Sequence, residues 1–144
     1  MKRSTYIVTV LLAMALLGGS ASQAVAGAAA TWVAQGDQQW RAGQLAEAQK
    51  SFQAALAVES RSVDIYLKLA GLQLSSNDFA ACIPLYQKAI SLDAANVRAW
   101  LGLGFSYLHT GKDSLSLAAF QEAIRLDPSK RSALQPMLEK LQTP

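Results

Sequence analysis

The sequence predicts an all-α chain of repeated helix pairs, on two observations. The first is a recurrence at a fixed interval. Phe52-Gln53-Ala54-Ala55, Tyr86-Gln87-Lys88-Ala89 and Phe120-Gln121-Glu122-Ala123 share an aromatic, a glutamine and a final alanine, and a second aromatic series, Trp32, Tyr66 and Trp100, keeps the same interval. Two independent series in one phase mark a structural repeat. The second observation is local. Each unit holds two apolar patterns of helical period separated by turn residues: Ala42-Gly43-Gln44, Ser75-Ser76-Asn77-Asp78 and Thr110-Gly111-Lys112-Asp113.

Helices are predicted at 29–42, 45–59, 63–75, 78–92, 97–110 and 113–126. Asp78 and Asp113 stand where a side chain accepts from free backbone N–H groups and caps the second helix of a pair. Small residues recur as Gly36/Ala70/Gly104, Ala48/Cys82/Ser116 and Ala55/Ala89/Ala123, letting antiparallel helices approach while the aromatics fill the space beside them. A single helix pair cannot bury its apolar faces alone, so neighbouring pairs are predicted to stack. In the first unit, Gln35 and Gln39 make an outer face that has no preceding neighbour partly polar. After Pro128, Leu134, Met137, Leu138 and Leu141 predict a capping helix at 130–142. Two prolines fall in predicted helices: Pro84, with a local kink on the outer face, and Pro136, tolerated if its helix starts nearby.

The repeat resembles that of the tetratricopeptide repeat family, whose unit is about 34 residues long with the pattern W-x2-L-G-x2-Y, then A-x3-F, then A and P. Residues 97–130 match best, with Trp100, Leu103, Gly104, Tyr107, Phe120, Ala123 and Pro128, and Ser116 for the usual alanine. Residues 29–62 match at Trp32, Gly36, Ala48, Phe52 and Ala55 and depart at Gln35, Gln39 and Ser60. Residues 63–96 match outright at Leu69 and Ala89, conservatively at Tyr66, Ala70, Cys82 and Tyr86, and depart at Gln73 and Ala94. The resemblance implies a right-handed superhelix of three helix-turn-helix units with a capping helix, spanning 27–144.

Positions 1–26 read as a signal peptide: a basic Met1-Lys2-Arg3 start, an apolar Ile7–Leu17 run, a Gly18-Gly19 break and small residues at Ala24 and Ala26. The run before the glycines is well short of the roughly 20 residues that span a bilayer. Cleavage is expected after Ala26, with Ser22 the alternative site and an uncleaved anchor the alternative fate. Without Lys2 and Arg3, the chain carries 11 Lys plus Arg against 10 Asp plus Glu. No basic stripe remains to suggest nucleic acid. A periplasmic or secreted location follows, with membrane contact only through a partner or an uncleaved leader.

Catalytic signals are weak. His109 is the only histidine and Cys82 the only cysteine, so multi-histidine metal sites, cysteine clusters and internal disulfides are ruled out. Gly102-Leu103-Gly104 lies in a predicted helix and reads as packing rather than a phosphate loop. Cys82 occupies a small-residue packing position. No catalytic residue, metal or cofactor is expected.

The family resemblance places a partner-binding groove along the first helix of each pair. The first unit contributes Val33, Asp37, Trp40 and Arg41. Leu67, Lys68 and Leu74 come from the second, and Arg98, Leu101, Phe105, Leu108 and His109 from the third. Gly71 and Gly102 are expected to leave room for a ligand. This apolar groove with dispersed cations suits a peptide or protein segment with apolar anchors and some acidic residues. The family's carboxylate clamp is absent: Val33 and Asp37 stand where it has Lys and Asn, and only Arg98 matches. The expected function is a non-catalytic envelope adaptor. The alternatives are a structural subunit or homo-oligomer using the flank or convex face, and an enzyme-accessory role for Cys82.

Overall fold

A computed structural model of the protein describes residues 21–142. These residues form seven α-helices and no strand. The chain divides into two compact units between Arg61 and Ser62. The first holds α1 (Ala21–Arg41) and α2 (Leu45–Val58). The second holds α3 (Val63–Ser75), α4 (Phe79–Leu92), α5 (Val97–His109) and α6 (Asp113–Leu126), then a 3-10 turn at Pro128–Lys130 and α7 (Arg131–Gln142). Helix α1 pairs with α2, α3 with α4 and α5 with α6, and within the second unit α4 packs on α5 and α6 on α7.

The three turns within pairs are built alike. Gly43, Asn77 and Gly111, at the same position of successive repeats, each take a left-handed φ, of 74°, 56° and 69°. That φ is open to glycine and is tolerated by asparagine, whose short polar side chain bonds locally. The next residue's N–H then reaches back to the first helix: Gln44 to the Gln39 carbonyl, Asp78 to Gln73 and Lys112 to Tyr107, at 2.9–3.0 Å. These bonds occupy carbonyls that a helix end would otherwise leave free.

Pairing distance is set by rings seated on glycines. A Cβ on Gly36 would lie 2.6 Å from the Phe52 ring, and one on Gly104 2.5 Å from the Phe120 ring. Phe52 and Phe120 are fully buried there. A second device repeats beside them. The Ser116 hydroxyl donates to the Gly104 carbonyl at 2.9 Å, and the Cys82 thiol, at the same repeat position, lies 3.5 Å from the Ala70 carbonyl. Both side chains are buried. Within the second unit, Leu67, Ala70, Cys82, Tyr86, Leu103 and Tyr107 belong to one core cluster, and Phe120, Ile124, Leu134 and Leu138 form another.

Several expectations need correction. Asp113 is the first residue of α6, not its cap; Lys112 holds the cap position without a side-chain bond. Asp113 still favours the helix start by charge. Asp78 does cap α4, accepting from the Ala81 N–H at 3.0 Å. Asn96 caps α5 in the same way, at 3.1 Å to Ala99. Gln39 does not contribute a polar outer face: it turns inward, and its Oε1 accepts from the buried Ser51 hydroxyl at 2.7 Å. The capping segment opens with the 3-10 turn, so Pro136 lies inside α7 rather than near its start. It is exposed, as is Pro84.

Helix α1 begins at Ala21 and runs through both expected cleavage points. The basic start and apolar run of the leader lie outside the described residues. No helix of the described residues is long and apolar enough to cross a membrane.

The shared turn geometry predicts opposite effects at equivalent positions. Gly111→Ala should destabilise by about 1 kcal/mol, because alanine is strained at this φ. Asn77→Gly should be neutral or stabilising by a few tenths of a kcal/mol, about the asparagine's residual strain. Urea midpoints of the two variants check this, and equal shifts of the same sign would contradict the turn assignment.

Candidate functional site

In the second unit α3 and α5 are in contact as the first helices of adjacent pairs. The expected groove residues of this unit are carried on them, but they divide by environment. Leu67 is only 7% exposed and belongs to the core. Leu74 packs against the same core. Leu101 and Phe105 lean on the cluster built with α6 and α7, and Phe105 meets Phe120 edge-on at 5.1 Å. Leu108 is half-buried, while Arg98 and His109 are exposed. Lys68 keeps 24% of its side chain open and lies 4.0 Å from Asp64 one turn earlier. Much of the expected apolar lining is therefore held by the fold, and the accessible remainder is more basic than the sequence suggests.

In the first unit the four expected residues lie on α1. Val33, Asp37 and Trp40 are half-buried and Arg41 is exposed. Trp40 packs edge-on against Phe52, with ring centroids 6.3 Å apart. Its indole thus helps seat α2. His109 stacks on Phe79 at 4.0 Å with rings 11° from parallel. This fixes the imidazole at the α5 C-terminus. A cleft between α6 and α7, with Gln121, Arg125, Arg131 and Gln135 among its lining, includes none of the expected residues.

Gly102 does not leave room for a ligand. The tip of the Tyr86 ring fills the place of its missing side chain, and a Cβ there would collide with Tyr86 Cζ. Tyr86 thus carries the ring of α4 onto the first helix of the following pair. It is 5% exposed, and its hydroxyl makes no hydrogen bond among the described residues. The other buried tyrosine differs: the Tyr107 hydroxyl accepts from Gln87 Nε2 at 3.0 Å. Burial pushes the Tyr86 pKa up to about 12, helped by the neighbouring Cys82 and opposed by the Arg98 guanidinium. Sequence reasoning missed Tyr86 as a surface group because its position is an aromatic core position. The available signal was its phenol oxygen, set between Phe52 and Phe120 in the same series.

Cys82 is fully buried. Its thiol is pushed up in pKa, first by burial, with Ser106 bonding in opposition and Asp78 adding to the rise. A protonated, enclosed thiol is a poor nucleophile.

Comparison with known proteins agrees with this architecture. A tetratricopeptide repeat model matches residues 33–95 and 67–131, most of the chain, which therefore belongs to the tetratricopeptide repeat family. No curated protein sequence matches. Among solved structures, the chain is similar to the Arabidopsis OM64 TPR domain, with 21% identity over 81% of this chain and 95% of that one and a TM-score of 0.72. It is also similar to the first TPR of Spaghetti (RPAP3) bound to an HSP90 peptide, with 16% identity, coverage of 80% and 90%, and a TM-score of 0.73. A third is the Yersinia enterocolitica type III secretion chaperone SycD in complex with a peptide of the translocator YopD, with 18% identity, coverage of 78% and 90%, and a TM-score of 0.71. These are likenesses of fold.

The Tyr86 environment predicts a pH effect. The native state holds this proton to about pH 12, whereas the unfolded chain releases it near 10. Its contribution to stability is complete below pH 10 and is lost as pH rises from 10 through 12. Urea midpoints of wild type should therefore fall more steeply over this window than those of Tyr86→Phe. Parallel profiles would contradict it.

Proposed function

We propose that this chain is a non-catalytic adaptor of the cell envelope, exported by its leader with cleavage after Ala26. It is built of three tetratricopeptide repeats and a capping helix. It holds a segment of another exported or membrane protein against the first helices α3 and α5. The observation that carries this reading is the accessible mixture on these helices: Lys68, Arg98, Leu108 and His109 remain open or half-open beside a packed apolar floor. Open cations beside apolar anchors favour an amphipathic segment with acidic residues. The family's relatives captured with peptides, RPAP3 with an HSP90 peptide and SycD with a YopD peptide, lend support. The burial of Cys82 argues against the thiol-dependent alternative.

The second reading, a homo-oligomer joined by its flank or convex face, draws on exposed apolar side chains of each unit taken separately: Leu115, half exposed on α6, and Trp32, 38% exposed on α1. Sedimentation over a concentration series separates the two: a concentration-independent monomer favours the adaptor.

A photo-crosslinking side chain at Leu108 should capture a protein partner from intact cells, and the same group at exposed Pro84 on α4 should not. Arg98→Glu should weaken the Leu108 product about tenfold, the size of one charge-assisted contact reversed. Equal capture at both positions would sink the groove assignment. The isolated protein should begin at Gly27 and fractionate with the envelope; a retained Met1 would overturn the cleavage, and a cytoplasmic fraction would overturn the export reading.

A further inference from the structure

One polar group in the second unit has no structural use. The Tyr86 side chain is almost wholly enclosed, and its hydroxyl makes no hydrogen bond among the described residues. No buried side-chain nitrogen or oxygen among the described residues lacks a partner. The Tyr86 hydroxyl therefore keeps some exposure, on a ring whose tip fills the place of the missing Gly102 side chain. A phenylalanine, as at 52 and 120, would serve the packing equally well.

The surroundings specify the ligand. Arg98 lies one turn before Gly102 on α5 and is exposed. Residues four apart on a helix stack on one face, about 5–6 Å between Cβ positions. The Tyr86 ring tip occupies the Cβ position of residue 102, which sets it one helical turn from the Arg98 Cβ on this face. The guanidinium favours the ionised phenol and so opposes the larger effect of burial. Across on α3, Lys68 and Asp64 occupy the repeat positions of Gly102 and Arg98 and face each other as an ion pair, so Asp64 is held by its own helix. The phenol, which stays protonated far above neutral pH, donates one hydrogen bond, and the guanidinium donates several but accepts none. Two adjacent donors, one charged, match the two oxygens of a carboxylate.

We propose that the Tyr86 hydroxyl, delivered across Gly102, and the Arg98 guanidinium together bind the side-chain carboxylate of an acidic residue in the partner segment. This rests on the groove reading above and adds a specificity determinant supplied by a second helix through a gap in a first helix. Arg98 brings the charge; Tyr86 brings a fixed donor whose ring is already immobilised, so little side-chain entropy is lost on binding.

The test uses the full chain and two acetylated, amidated peptides of identical leucine–alanine sequence, one with a central glutamate and one with a glutamine. Binding is followed by the Gly102 amide and by ¹³Cζ-labelled tyrosine in NMR titrations. The glutamate peptide should bind more tightly, shift both signals, and lose about tenfold in affinity in Tyr86→Phe, the effect of one hydrogen bond to a charged group. Affinity for the glutamine peptide should be little changed by that variant. Tyr107→Phe, which removes a hydroxyl engaged by Gln87, is the control and should leave the preference intact. If both peptides bind equally and Tyr86→Phe changes neither, the carboxylate site is overturned while the groove stands. If neither peptide perturbs α5, both are overturned. Tyr86→Phe should leave the thermal midpoint near neutral pH unchanged; a fall of several degrees would show a structural role for the hydroxyl and count against the proposal.

Discussion

The seat of an aromatic ring on a glycine of the neighbouring helix governs how closely the helices of this protein approach. Phe52 rests on Gly36 and Phe120 on Gly104, in each case where even one methyl group would collide. Everything beside these contacts follows from the spacing they impose. At that distance a hydroxyl on the second helix reaches a carbonyl on the first, as Ser116 does to Gly104. The turn must also be short, which accounts for the left-handed residue in each one. The ring supplies buried apolar area while the missing Cβ supplies the space, so neither works without the other.

The middle pair departs from this pattern. Ala70 stands in the glycine position, and the ring of Tyr86 reaches on to Gly102 of the following helix. The contact that closes a pair elsewhere here joins one pair to the next. It also carries a phenol ring onto the helix that bears Arg98 one turn earlier.

The helices and their pairing were legible because they depend on local rules that repeat. The aromatic series, the small-residue series and the turns all fall at one interval, and each constrains the others. The left-handed set Gly43, Asn77 and Gly111 was equally regular but is visible only when asparagine is read as a glycine substitute. The site was less legible. Leu101 and Phe105 sit at groove positions by register, yet α7 and Phe120 engage them, and register does not reveal which neighbour takes a shared apolar face. Gly102 was legible as a gap but not as a filled one, because the group filling it comes from the preceding pair, on another helix. Gln39 was misjudged for a related reason: a polar residue on a terminal repeat reads as solvated, but Ser51 gives it an internal partner.

The reach of Tyr86 across to α5 also bears on how the second unit melts. In a linear array, the stability of each pair divides between what it holds internally and what it shares with its neighbour. Placing a large, almost wholly enclosed ring at the α4–α5 boundary moves energy from the internal share to the common one. The α3/α4 and α5/α6 pairs should therefore open as one cooperative block rather than fray one after the other, and amide protons of both should exchange through the same rare event. The surface proposed for binding on α3 and α5 then keeps its geometry until the whole block is lost.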